Sequence, residues 1–235
     1  MNTRNVRISE LAVACFVFAI LDGYDGKYLE FLQATSPVPN LLEPEDRKAL
    51  LKWLRAWGCR QFTPSQDDTA SSEILAWYRE YGPRLFSYGK SLCELTEQEL
   101  DLAVEAYASL KARTASSRQD GTLVSVGPAG AAKTLFAIRP GACPPWDWPI
   151  RHELGLDEGP ESYRKYLLHV RSILGELDRS CRANGFTLDD LPKRLGRDYS
   201  TPAKLIDEYY WVTITRRCRL PALATLRQWV EWEQG

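Results

Sequence analysis

The sequence predicts an all-α protein, built as one α-helical domain with two helical lobes. Two observations predict this fold class: apolar residues recur at helical spacing along most of the 235 residues, and β-branched runs are short and few. The polar stretch 116–121 (SSRQDG) is typical of a linker. It therefore predicts an N-terminal lobe over 1–115 and a second lobe over 122–235.

Each predicted helix rests on its periodicity and on signals at its ends. Pro44 and early acids begin the second helix, and Gly58 ends it. Thr96 and Glu99 form a capping box for a later one. The predicted helices cover 7–21, 43–57, 71–81, 96–113 and 160–183, a short one from 187, one opened by Thr201-Pro202, and 221–233. Short strands are candidates at 122–126 and 211–215, and residues 22–26 (DGYDG) predict a turn.

Composition and charge exclude several classes of protein. The chain is 44% hydrophobic and 26% charged, with a net charge of −1, so any DNA binding would depend on a local basic patch. Its six scattered cysteines contain no CxxC pair, which argues against a zinc finger and predicts no metal site. The apolar run 8–21 is too short to span a bilayer. We expect a cytoplasmic monomer that makes no membrane contact and contains reduced cysteines.

The segment 127–151 (GPAGAAKTLFAIRPGACPPWDWPIR) is the most informative part of the chain. A glycine-bearing turn precedes a short apolar helix that carries Lys133. A stiff, proline-rich elbow then presents Asp147 between two tryptophans, because proline fixes its own φ and biases the residue before it away from the helix. Asp147 is also well placed to cap a helix that begins at Trp148-Pro149. A carboxylate between two indoles on a rigid elbow indicates a functional site.

Residues 127–134 (GPAGAAKT) superficially match a phosphate-binding loop. That motif needs glycine immediately before the lysine, where the backbone wraps around a phosphate, and this chain has Ala132 there. No apolar run ending in aspartate follows downstream. A nucleotide-binding protein therefore remains only the third hypothesis.

The same segment resembles the core of the helix-hairpin-helix DNA glycosylase superfamily. The resemblance consists of Gly-x-x-Gly-x-x-Lys, an apolar helix, a proline-containing loop and an aspartate followed by Ile-Arg. It implies two helical lobes with a cleft between them, a catalytic Asp147, and a Lys133 at the Schiff-base position of the bifunctional members. Gly127 and Gly130 would be hairpin glycines that bind phosphate. Ala132 and the short interval between Lys133 and Asp147 depart from the family pattern.

The chemistry of base removal suits these residues. Breaking an N-glycosidic bond develops positive charge on the deoxyribose, which a fixed carboxylate stabilises while it orients a water. The target base must leave the stack and enter a pocket. Our candidates for DNA contact are Gly127, Gly130, Arg151, Trp146, Trp148, Arg216 and Arg217, and those for the base pocket are Tyr209, Tyr210 and Trp211.

The sequence therefore predicts a DNA N-glycosylase that hydrolyses the base–deoxyribose bond of a damaged or modified base, without a cofactor. The modified base could belong to the cell's own genome or to viral DNA, which would make the role either repair or defence. The alternative is a non-catalytic helical module that binds nucleic acid or protein. A fully exposed Asp147 would favour that module, and a buried Asp147 in an aromatic pocket would favour the enzyme.

Overall fold

The computed structural model describes residues 6–21 and 23–232, and these form a predominantly helical protein with 65% helix and 3% strand. The all-α prediction is confirmed at this level. The described helices are α1 (Ile8–Leu21), α2 (Tyr24–Ala34), α3 (Pro44–Ala56), α4 (Asp67–Tyr81), α5 (Glu97–Ala112), α6 (Gly127–Ile138), α7 (Trp148–Glu153), α8 (Pro160–Ala183), α9 (Leu191–Arg194), α10 (Pro202–Tyr210) and α11 (Leu223–Trp232). Position 233, the predicted end of the last helix, lies outside the described residues.

The end signals read from the sequence act as expected in α3 and α5. Pro44 occupies the first turn of α3 with Glu45 beside it, where the missing proline N–H costs nothing and an acid complements the helix dipole. Thr96 caps α5, and Glu99 completes the capping box with a bond from the Thr96 backbone N–H of 2.9 Å.

The predicted linker at 116–121 is wrong, because its first residues belong to a strand. β1 (Thr114–Ser117) pairs antiparallel with β2 (Leu123–Ser125), and the polar residues between them form the hairpin turn. Gly121 adopts a φ of +82° there, a conformation that glycine tolerates without strain. The division into two lobes therefore loses the linker on which it was based. It stays a prediction.

Two other local predictions also differ from the structure. Residues 211–215 are not a strand but a π-helical turn that continues α10, so the β-branched side chains of Val212 and Thr213 sit on helical backbone. The predicted turn at 22–26 gives way to α2 from Tyr24, while Asp22 lies outside the described residues.

The packing brings distant parts of the chain together. α1 packs against α10, and α6 packs against α5 and α3. One continuous apolar core runs through these contacts. As a result, α10 and the elbow before α7 come to lie beside the first two helices of the chain. Among the described residues, we find no helix that is both long and apolar enough to cross a membrane.

Candidate functional site

A pocket of about 60 Å³ opens where these helices meet. Two predicted catalytic residues, Lys133 and Asp147, line it together with the predicted aromatic residues Trp146 and Trp211. The full lining consists of Phe18, Tyr24, Trp57, Lys133, Pro145, Trp146, Asp147, Asp207 and Trp211. The site therefore combines one cation and two carboxyl groups with several aromatic walls.

Asp147 is held at the edge of this pocket by the proline-rich elbow. Its Oδ1 accepts a long hydrogen bond of 3.4 Å from the backbone N–H of Ile150, so it caps α7 while lining the pocket. The elbow is also held by α8, because the Tyr166 hydroxyl donates a hydrogen bond of 2.6 Å to the Pro145 carbonyl. Trp146 is fully buried beside it. Asp147 is half-buried, which lies between the exposed and buried cases set out in the sequence analysis.

Lys133 reaches the pocket from α6 and is anchored to its wall. Its Nζ donates a hydrogen bond of 2.6 Å to the Trp57 carbonyl and lies 5.8 Å from the centroid of the Trp57 ring. The cation is therefore placed by a carbonyl and a ring face, and not by a carboxylate. Its charge remains available to a group that enters the pocket.

Asp207 is the second carboxyl group of the pocket and is only 8% exposed. Burial and the nearby Asp147 together raise the pKa of Asp207 to about 8, against weaker opposing effects of Lys204 and Lys133. At neutral pH its carboxyl group is therefore mostly protonated. Two carboxyl groups in different environments share one pocket, which is how a single site can hold both an acid and a base.

This protonation predicts a measurable effect on stability. Because the folded state keeps a proton on Asp207 that the unfolded chain releases, stability should fall between about pH 4 and pH 8, by at most about 1.4 kcal/mol per pH unit from this group. Asp207→Asn removes that dependence, so the variant should unfold at higher denaturant than wild type at pH 8 and match it at pH 4. Urea unfolding at both pH values measures the difference. Parallel pH dependences for the two proteins would contradict the assignment.

A buried cluster of four charges lies directly behind the pocket. Lys204 and Glu208, one turn apart on α10, are fully buried and joined at 2.5 Å, and Lys204 also binds Asp25 at 3.0 Å. Arg197 pairs with Asp25 and with Glu208. Burial acts to raise the pKa of Asp25, but Lys204 and Arg197 outweigh it and hold that pKa below its ordinary value. The two cations and two anions balance each other.

The charge cluster and the pocket share a wall. Lys204 Nζ lies 5.0 Å from the centroid of the Phe18 ring and 6.0 Å from that of Trp57, both of which line the pocket. Asp207 on α10 and Trp211 at the start of the π-helical turn are again about one turn apart, beside Lys204 and Glu208. α10 therefore presents its ion pairs to the interior and its protonated acid to the pocket.

Other predicted site residues lie outside the pocket lining. Tyr210 is buried, with its hydroxyl 2.7 Å from His169 Nε2, and Tyr209 is 3% exposed. Trp148 is 64% exposed and stacks on His152 at 5.0 Å.

The predicted phosphate contacts fall into two groups. Gly127 opens α6 with a φ of +69°, but Gly130 is buried where a Cβ would lie 2.7 Å from Gln61 Nε2. Arg151 is also buried, with its guanidinium 5.4 Å from the Trp146 ring. Arg216 and Arg217, in contrast, are exposed, and the Arg216 guanidinium lies 5.1 Å from the ring of Trp211. Of these residues, Arg216 lies against Trp211, a wall of the pocket.

Sequence reasoning missed Asp207, Trp57 and Tyr24. Asp207 could have been predicted from the sequence, because it precedes the predicted Trp211 by one helical turn and shares its face of the helix. Trp57 and Tyr24 carry no such signal, since they reach the pocket only through the packing of α2 and α3 against α6.

The structure also bears on the other hypotheses. The strands before Gly127 form an antiparallel hairpin, whereas a phosphate-binding loop follows a strand of a parallel sheet. Within the described ranges, His, Cys, Asp and Glu side chains form no group that could hold a metal ion. Comparisons with protein-family models, curated proteins and solved structures found no match for this chain.

Proposed function

We propose that the protein is a DNA N-glycosylase that hydrolyses the bond between a base and its deoxyribose. One observation carries the proposal: Asp147 and Lys133, picked out by the sequence, line a single aromatic pocket that also contains a protonated acid. In this reaction Asp147 stabilises the positive charge that develops on the sugar and takes a proton from the attacking water. Trp57, Trp146 and Trp211 offer ring surfaces to an extruded base.

The rim of the pocket supports DNA as the partner. Arg216 packs on Trp211, and the exposed Arg217 and Arg219 follow it in sequence, so we expect this basic segment to contact the backbone of a bound strand. Trp148 presents an exposed indole directly after Asp147. An indole beside the pocket can stack on the bases next to an extruded nucleotide.

The pocket must open to admit a base. Its volume of about 60 Å³ is well below the roughly 300 Å³ at which small-molecule sites begin. Trp211, one wall of the pocket, begins the π-helical turn, a backbone form that is frequent at functional sites. Closing again would exclude water other than the reacting molecule.

The test is to look for the products of base removal. The protein is incubated with unmodified genomic DNA, chemically damaged DNA and hypermodified phage DNA, and the supernatant is analysed by mass spectrometry for free bases. Alkali-labile abasic sites are counted in the same samples, and heat-denatured protein serves as the control. The proposal expects one free base per abasic site. Tight DNA binding with no base released from any DNA would instead favour the non-catalytic module.

We further expect Lys133 to assist the reaction and not to attack the sugar. Its Nζ is held against the Trp57 carbonyl by a hydrogen bond of 2.6 Å, and its short interval from Asp147 departs from the pattern of the lyase members. Lys133→Ala should therefore weaken DNA binding or slow base release, and borohydride should trap little wild-type protein on DNA. The exposed Lys48→Ala is the matched control. Efficient trapping that disappears in Lys133→Ala would make the enzyme a lyase as well.

A further inference from the structure

Asp207 stands apart from the charge cluster on its own helix. Its neighbour Glu208 forms ion pairs with both nearby cations, Lys204 and Arg197. Across the residues that the structure describes, no hydrogen bond or ion pair holds the carboxyl group of Asp207. That group instead lines the pocket that contains Asp147 and Lys133.

The surroundings of Asp207 come from several elements. Asp147 approaches from the elbow and is the nearby charge that acts most strongly on it. The other titratable groups around it are Lys133 on α6, Lys204 and Glu208 on α10, Tyr166 on α8 and Tyr24 on α2. Among the groups that lie in the pocket itself, Asp207 is the neutral acid, with a proton to give.

We propose that Asp207 donates the proton to the departing base, and that the substrate is a neutral base and not a cationic alkylated one. This inference rests on the proposed glycosylase function. As the bond between C1′ and the base nitrogen breaks, its electron pair goes to the base. The Asp207 proton moves to a ring nitrogen or carbonyl oxygen of the base. Water adds to C1′ and gives its proton to Asp147.

The atoms balance over this cycle. One water is consumed, and a free base and an abasic sugar are formed. Asp207 is left as a carboxylate and Asp147 carries the proton, so exchange with solvent returns both groups to their starting states. The two carboxyl groups thus divide the acid and base roles, as they do in hydrolysis of other glycosides by an inverting route.

The preference for a neutral base follows from the proton that Asp207 can donate. A neutral base leaves poorly as an anion and gains from a proton donor, whereas a base with a fixed positive charge leaves without one.

The test uses the DNA that releases a base in the product assay and measures single-turnover rates from pH 5 to pH 10. The wild-type rate should fall tenfold per pH unit above about pH 8, as Asp207 loses its proton. Asp207→Asn should be slower by about 10²–10⁴-fold and lack this fall. Asp207→Glu, which keeps an acid, should recover part of the rate and the fall at high pH. Circular dichroism and thermal melting confirm that each variant is folded.

Several outcomes would overturn the inference. A folded Asp207→Asn protein with the wild-type rate and pH profile would remove Asp207 from the reaction. Release of only cationic bases, such as 7-methylguanine from methylated DNA, would contradict the substrate class. Failure of the wild-type protein to release a base from any DNA would reject the proposed function itself, which separates the two failures.

Discussion

Replacing Lys204 with methionine should lower the free energy of unfolding by about 3–5 kcal/mol, the usual cost of removing one partner from a buried ion pair. Lys204 is fully buried and neutralises both Asp25 and Glu208. Methionine fills a similar volume but leaves two carboxylates facing a single cation, Arg197. Denaturant unfolding of the variant and wild type measures the difference.

The matched control is Lys52→Met. Lys52 also pairs with a carboxylate, that of Glu30 at 3.4 Å, but 72% of its side chain is exposed. Water already screens this pair, so its loss should change stability far less. Equal destabilisation by the two substitutions would show that the buried cluster does not carry the energy we assign to it.

The second large effect concerns Asp147. Asp147→Asn should reduce base release by at least about 10²-fold, because the amide cannot take a proton from water or stabilise the charge on the sugar. Stability should stay within about 1–2 kcal/mol of wild type, since asparagine also caps a helix well. Single-turnover base release and thermal melting test the two parts separately.

Asp190→Asn provides the control for this substitution. Asp190 also accepts backbone hydrogen bonds at a helix start, from Thr187 at 2.9 Å, but it is exposed and lies outside the pocket. Its replacement should leave base release unchanged. Full activity in a folded Asp147→Asn protein would remove Asp147 from the proposed reaction.

Local signals in the sequence were enough to predict several helices and to pick out two residues that line the candidate site. Thr96 and Glu99 form their capping box within one turn, so four residues are enough to specify the start of α5. Asp147 and Lys133 were found in the same way, because an elbow and a glycine-bearing turn are local features.

What the sequence did not reveal depends on contacts between distant residues. Lys204 and Glu208 are spaced like an exposed i, i+4 pair, and only the packing of α1 and α2 over them turns the pair into a buried cluster with Asp25. The strand propensity of 211–215 was overridden because these residues extend α10 into the core. Asp207 was not picked out, because its place in the pocket with Asp147 depends on how α10 packs.

The charge cluster also determines when a nascent chain could acquire this pocket. Asp25 meets Arg197 and Lys204, more than 170 positions later in the chain, and two pocket residues, Asp207 and Trp211, follow them. Contacts this remote in sequence form late in folding, because closing the long intervening loop costs entropy before any contact compensates for it. A ribosome-bound chain that has not yet exposed α10 holds Asp25 without its counter-ions and Asp147 without its neighbouring acid. The pocket would therefore be completed among the last steps of folding, when the beginning of the chain and α10 finally meet.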